Sequence, residues 1–389
     1  MRLDGIRVLD LTRLLPGPYA TQLLADLGAD VVKVEDTGAG DYARHMPPTT
    51  DRGVGGVFDG VNRGKRSVAL DLKDDDACEA FYALVEESDV VIEGFRPGVV
   101  ERLGVDFDTL REYNPDLVYC SLTGYGQTGP LSDRAGHDLN YVGRTGFLDM
   151  SRDGEDDAPS TPGYQVADLG GGLCAAFGVV SALLSRELGG GGGEYVDVSM
   201  TDVVLSFSQT VAHGALTAAD GGGEGPRPGG TPLTGGYPWY DVYETADGRF
   251  VTLGALEPQF WEAFCRGVDR EDLVSYHGTE DPAEQAALRE ELDSLFAGRT
   301  RDEWADALGP DTAVEPVLTP AEAVADEQFA ARDVVQGGDH PRVGFPAVCD
   351  RPETDESVPG HGEHTAELLS AAGVSDEDLE RLREGGAIR

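Results

Sequence analysis

The first third of the chain alternates short β-branched runs with stretches of helical period. Residues 7–12, Arg-Val-Leu-Asp-Leu-Thr, read as a buried strand, and Pro16-Gly-Pro opens a helix over 19–28, with proline suited to the first turn and Gly28 to the stop. The alternation continues through strands at 31–35 and 67–72, a helix at 75–88, a strand at 90–93, a helix near 99–103 and a strand at 117–122. Strands separated by helices of about 10–15 residues predict right-handed βαβ crossovers and a mostly parallel sheet, with its ligand crevice at the carboxyl ends of the strands.

Two loops interrupt this rhythm. Residues 38–64 are rich in Gly, Pro and Asp and are expected to wrap the surface or a ligand. Five consecutive glycines, 189–193, read as a solvent loop between a helix over 168–188 and a strand at 195–198. Past residue 225 the texture changes. A Gly-rich segment leads into two alternating runs joined by Asp247-Gly248, a hairpin signal, then helices at 258–267, 283–297 and 301–308 and a strand at 313–318. The predicted fold is α/β, with a parallel-sheet large domain over 1–224 and a smaller α+β domain over 225–335. The stretch 336–389, with helices at 365–372 and 376–383, is expected to return to the large domain.

Charge narrows the partners. The 389 residues carry 30 Lys and Arg against 72 Asp and Glu, a formal net charge of −42, and the only lysines are Lys33, Lys65 and Lys73. Such a surface repels nucleic-acid phosphates and acidic lipid headgroups at low salt, so neither is an expected partner. At molar salt the Debye length shrinks to about 3 Å. The acid, spread along the chain rather than gathered in a tail, therefore reads as the surface of an extreme halophile. The longest nearly unbroken apolar stretch, 173–184, falls short of the roughly 20 residues that cross a bilayer. The N-terminus enters a strand pattern with an acid inside it, and the five cysteines are widely spaced without a CxxC. No secretory segment is expected, and a reduced cytoplasmic setting is.

Candidate chemistry is sparse. No GxGxxG follows the first strand and no GxxxxGK[ST] or GxSxG occurs, so NAD and ATP are disfavoured. His361 and His364 form the one close histidine pair and lack a third ligand nearby, so no metal is expected. His137, in Gly136-His-Asp-Leu-Asn-Tyr141, lies just past the strand at 117–122, where a doubly wound fold places its site. It reads equally as a proton-transfer group and as a structural histidine. Asp168 precedes a helix in which Leu173, Phe177, Val180 and Leu184 form one apolar stripe and the first turn is three glycines. A helix N-cap is the plain role for that aspartate. Three helical glycines cost roughly 1 kcal/mol each, which points to close approach of a ligand or of another helix. Glu257, between a strand and Pro258, reads first as an N-cap or first-turn carboxylate.

Several motifs in order carry a resemblance over nearly the whole chain: Val8-Leu-Asp-Leu-Thr followed by Pro-Gly-Pro, Leu27-Gly-Ala-Asp-Val-Val-Lys-Val-Glu35, Asn62-Arg-Gly-Lys-Arg-Ser67, Ile92-Glu-Gly-Phe-Arg-Pro-Gly98, Gly124-Tyr-Gly-Gln-Thr-Gly129 and Val196-Asp-Val-Ser-Met200. With these the chain resembles the family III coenzyme A transferases, the CaiB–BaiF superfamily that also contains α-methylacyl-CoA racemase. The resemblance implies a Rossmann-like large domain, a small domain and an interlocked homodimer of two ring-shaped chains. Gly-His-Asp-Leu-Asn-Tyr, Ala-Asp-Leu-Gly-Gly-Gly, Gly-Gly-Tyr-Pro-Trp-Tyr and Leu-Glu-Pro-Gln-Phe look like the racemase branch. There His137 and Asp168 would face each other across the α-carbon of a 2-methylacyl-CoA, Glu257 would orient His137, and backbone N–H groups at the start of the Asp168 helix would lie near the thioester oxygen. Lys73, Phe95, Arg102 and Arg134 would line the CoA site, with no cofactor beyond the CoA moiety. In the transferase branch Asp168 would instead be a nucleophile that forms an aspartyl-CoA thioester while CoA moves between acids such as succinate and mesaconate. Where the family often has a nucleotide-binding arginine after Val-Glu, this chain has Asp36.

Overall fold

The computed structural model describes residues 2–353 and 355–389 and divides by internal contacts into two units. The larger runs to Thr145 and adds Pro162–Ser206 and Glu327–Arg389, while the smaller holds Gly146–Thr161 and Phe207–Asp326. Contacts thus divide the chain at 206 and 327, where the sequence reading placed boundaries at 224 and 335. Residues 207–225 have helical period but no long apolar run that ties them to a core.

The larger unit is built on a six-stranded parallel sheet. Its strands are β1 (Arg7–Asp10), β2 (Asp30–Glu35), β3 (Arg66–Ala69), β4 (Val90–Glu93), β5 (Val118–Thr123) and β6 (Tyr195–Ser199), in the order β3-β2-β1-β4-β5-β6. Leu9 pairs in register with Val32 on one side and Val91 on the other. Strands buried on both faces need near-continuous Val, Ile and Leu rather than alternation, as Val90-Val-Ile of β4 shows. The order reverses between β1 and β4, so the switch-point crevice opens beyond Asp10 and Glu93.

The helix Asp75–Glu86 turns Phe81, Leu84 and Val85 into a core shared with Leu9, Val32, Val68, Val91 and Tyr119. Helices Thr365–Ala371 and Asp376–Glu384 add Leu368, Leu369, Leu379 and Leu382 to that core, so the C-terminal stretch belongs to the larger unit.

The helix Val166–Glu187 corrects the sequence reading twice. Its 22 residues exceed the apolar stretch 173–184, and by length and composition alone it is long and apolar enough to cross a membrane. Its buried face also joins Val179 and Leu183 to small residues, among them Ala167, Gly171, Gly172, Ala175 and Ala182, while three of the stripe's large residues, Leu173, Phe177 and Leu184, are 53%, 73% and 57% exposed. A Cβ on Gly172 would stand 2.4 Å from the Pro16 carbonyl oxygen, and one on Gly171 would stand 2.5 Å from Met200 Cγ. Close approach of the helix Pro16–Asp26 and of Met200 therefore accounts for these two glycines.

In the smaller unit β7 (Tyr240–Glu244), β8 (Phe250–Gly254) and β9 (Val314–Pro316) form an antiparallel sheet. Asp247-Gly248 makes the first turn, with Gly248 at φ +71° as such a turn requires. An aromatic core of Trp239, Tyr243, Trp261, Phe264, Phe296 and Trp304 holds it.

Candidate active site

Two adjoining cavities open at the carboxyl ends of β1 and β4, both walled by the larger unit. The first, about 490 Å³, is lined by His137, Asp168, Arg134, Asn140 and Tyr141 together with the residues after β1 and β4. The second, about 830 Å³, is lined by Lys73, Val99, Arg102, Asp36 and Asp71. Leu11, Arg13, Tyr42, Gly94, Phe95 and Arg96 belong to both walls. Each volume is in the range that holds a ligand of several hundred daltons.

Asp168 is not the helix cap that its sequence position suggested. Gln165 is the N-cap residue, and the capping acceptor comes from another element: Asp138 Oδ1 accepts from the N–H of Ala167 at 2.7 Å and of Asp168 at 3.1 Å. These two donors are thereby committed, so they are not the ones free for a thioester oxygen. The Asp168 carboxyl is left to the cavity. Burial, then the neighbouring Asp138 carboxylate, push its pKa up to about 7.

His137 precedes Asp138 in the chain and is the N-cap residue of the helix Asp138–Arg144, where its N–H donates to Asn140 Oδ1 at 3.0 Å. Its ring is exposed on the cavity wall. Asp138 therefore links the two candidates, following one in sequence and capping the helix that presents the other. Tyr141 completes this corner by donating from its hydroxyl to the Gly136 carbonyl at 2.6 Å. Its ring packs so tightly that a Cβ on Gly124 would stand 2.4 Å from it. Burial, with Asp168 nearby, raises the Tyr141 hydroxyl to about 12.

The CoA residues implied by the resemblance distribute over both cavities. Phe95 lies in the shared wall, Lys73 and Arg102 line the second cavity, and Arg134 lines the first. Glu257 belongs to the smaller unit, where it is the N-cap residue of the helix Pro258–Gly267 without a side-chain cap bond. Asp36 lines the second cavity, and its backbone oxygen meets His361 Nε2 at 2.7 Å. Arg389 Nη1 lies 2.9 Å from His361 Nδ1, and the Ser67 N–H donates to His364 Nδ1, so both close histidines are engaged by the chain itself.

Arg13, Arg96, Asp138 and Tyr141 escaped the sequence reading. No sequence signal sets the first two apart: among the described residues Arg13, Lys73, Arg96, Arg102 and Arg134 form no ion pair, in a chain with 72 acids, and that is visible only in the folded chain. A third cavity, about 470 Å³, also holds arginines, but there Arg351 pairs with Asp333 at 2.9 Å and Arg342 with Asp26 at 2.6 Å. Glu93, buried under the switch point, accepts from the Phe95 N–H at 2.7 Å, and burial pushes its carboxyl up to about 7.

A site of this shape, at the switch point of a Rossmann-like sheet with unpaired cations beside a proton-active carboxyl, suits an anionic ester. The family model for CoA-transferase family III matches residues 3–365, and the chain belongs to that family, whose members are CoA-transferases and racemases. It is 36% identical to a succinyl-CoA:mesaconate CoA-transferase of Haloarcula marismortui, over 96% of each chain. It is also 36% identical to an alpha-methylacyl-CoA racemase of Mus musculus, over 98% of this chain and 96% of the other. A crystal structure of a CAIB/BAIF family protein from Brucella suis superposes with a TM-score of 0.81 at 30% identity, covering 95% of this chain and 98% of that one.

Proposed function

We propose that this enzyme is an α-methylacyl-CoA racemase that inverts C2 of a 2-methylacyl-CoA thioester. The observation that carries the reading is the pairing, in one cavity wall, of His137 with an Asp168 carboxyl that is free of capping duty and raised to about 7. A group that must both take and return a proton works best with a pKa near the working pH. A carboxylate nucleophile acts only in its ionised form.

The thioester α-proton leaves to one of the two groups as the electron pair moves onto the thioester oxygen, giving an enolate. The other group then delivers a proton to the opposite face of C2, and the enolate collapses back to the thioester. Arg96 and Arg134 supply positive potential to the same cavity, which favours the developing oxyanion. Lys73 and Arg102 suit the CoA phosphates in the second cavity. The exposed row of Leu173, Phe177, Leu184 and Leu188 suits burial against a second copy of the chain, as a homodimer. A cytoplasmic, high-salt setting fits the cysteine usage and the charge.

The deciding experiment incubates the enzyme with a 2-methylacyl-CoA in deuterium oxide, without an acceptor acid. Deuterium entering the α-position supports racemisation. No exchange, together with transfer onto a free carboxylic acid and a hydroxylamine-trapped thioester at Asp168, would replace this reading with CoA transfer.

A further inference from the structure

The two-base reading leaves the buried charges beneath the cavities without a role. Lys33, on β2, is wholly buried. Its Nζ donates to the Thr12 carbonyl at 3.0 Å and pairs with Asp41 Oδ2 at 2.9 Å. Asp41, also wholly buried, accepts the Leu14 N–H at 3.0 and 3.2 Å and the Ala43 N–H at 2.9 Å. On the other side of the loop, Asp10 accepts the Thr12 N–H at 3.0 Å. Residues 12 and 14 are thus both tied to buried charged groups, and Arg13 stands between them. Leu14 is held at φ +67°, a conformation that a leucine keeps only where its surroundings over-determine it. Stability alone does not call for this arrangement, because apolar side chains of similar volume fill such a space as well as a buried ion pair or better. What it secures is the direction of residue 13.

Arg13 lies in the wall shared by the two cavities, with its guanidinium 5.2 Å from the centroid of the Tyr42 ring and 5.7 Å from that of Phe95. Tyr42 follows Asp41 directly, so the carboxylate that holds Leu14 also anchors one of these rings. We infer that Asp41, through the Leu14 N–H and Lys33, is a positioning residue that holds Arg13 at the junction of the two cavities, where the guanidinium meets the anionic CoA portion of the substrate. The inference rests on the reading of these cavities as an acyl-CoA site.

The test is calorimetric binding of free CoA to the full-length chain in high salt, with the melting temperature of each variant measured alongside. Arg13→Ala removes an exposed side chain and is expected to weaken CoA binding about tenfold, and Asp41→Ala to do the same. The double variant should bind no more weakly than Arg13→Ala alone, because the two act through one group. Glycine adopts φ +67° unaided, so adding Leu14→Gly to Asp41→Ala should recover most of the lost affinity. With a turned-over acyl-CoA, KM should rise in each case while kcat stays within about twofold. The inference is overturned if Arg13→Ala, or a folded Asp41→Ala, binds CoA within about twofold of wild type, or if the two losses add. Should Asp41→Ala not fold, Lys33→Met, which removes the other half of the buried pair, takes its place with the same expected loss and the same overturning result. A wild-type chain that binds no CoA would instead overturn the acyl-CoA reading, and this inference with it.

Discussion

The outer surface and the cavity walls of this protein use the same cation in opposite ways. On the surface an arginine sits among carboxylates, as Arg270 does with Asp272 at 2.8 Å, or Arg2 with Asp4 at 2.6 Å. At the cavities Arg13, Arg96, Arg102, Arg134 and Lys73 stand without a carboxylate partner among the described residues. Arg144, Arg299, Arg332 and Arg389 are also without an ion pair among the described residues, so what marks the cavities is the gathering of five such cations on two adjoining walls of a chain of net charge −42, where an external anion completes the charge balance. Beneath the cavities a third regime holds. Asp10, Lys33, Lys65 and Asp41 are wholly buried and matched to one another, and Lys33 and Lys65 outweigh burial to keep the Asp10 carboxyl well below its usual range.

The comparison is broken most forcefully at the cavity. Asp168→Asn and His137→Ala should each slow interconversion of the two C2 epimers by about 10²–10⁴-fold, the usual contribution of a positioned proton-transfer group, and a change of less than a few-fold in either would contradict the assignment. In the direction that uses Asp168 as the base, wash-in should rise as pH passes through about 7, where its carboxyl loses its proton. Asp138 contributes to that upward shift, so Asp138→Asn should move the rise to lower pH, as read from the pH–rate profile.

The buried floor comes next in size. Lys65→Met removes the Nζ that meets Asp10, Thr21, Asn62 and the Pro18 carbonyl. It leaves Asp10 short of one of its two compensating charges, which should cost about 3–5 kcal/mol of stability in urea titrations. At the second cavity, Lys73→Ala and Arg102→Ala should each raise KM for an acyl-CoA about tenfold and leave kcat nearly unchanged, as loss of uniform ground-state and transition-state binding does. The smallest effect belongs to the surface. Arg270→Ala should change stability by no more than about 1 kcal/mol, because an exposed pair in high dielectric is worth little. A larger loss there would erase the distinction between the two regions.

The alternation of strands and helices was legible because each β-branched run is bounded by Gly, Pro or a capping Asp, as with Asp74 ahead of the helix Asp75–Glu86. The hairpin at Asp247-Gly248 was legible for the same reason. Less legible was which face of the helix Val166–Glu187 lies inside, because a hydrophobic stripe reports apolarity and not burial. Here Val179, Leu183 and the small residues pack, while Leu173, Phe177 and Leu184 remain outside. The plain reading of Asp168 as a cap fails because the acceptor that does the capping, Asp138, lies thirty residues away in the chain. Arg13 and Arg96 went unread because what sets them apart is the lack of a partner, a property of three-dimensional neighbourhood.

The sequence by itself determined the βαβ alternation, the two-part organisation, the acidic surface and the family, since these rest on local period, turn chemistry and ordered motifs. Tertiary structure alone decided that β1 and β4 meet at the switch point and that Asp168 and His137 share a cavity wall. It also decided that Asp138 raises one candidate while adjoining the other, and that Leu14 is held left-handed by a buried carboxylate twenty-seven residues away. Those outcomes depend on which distant groups come within a few ångströms of one another. Burial then amplifies each such encounter by removing the water that would otherwise screen it.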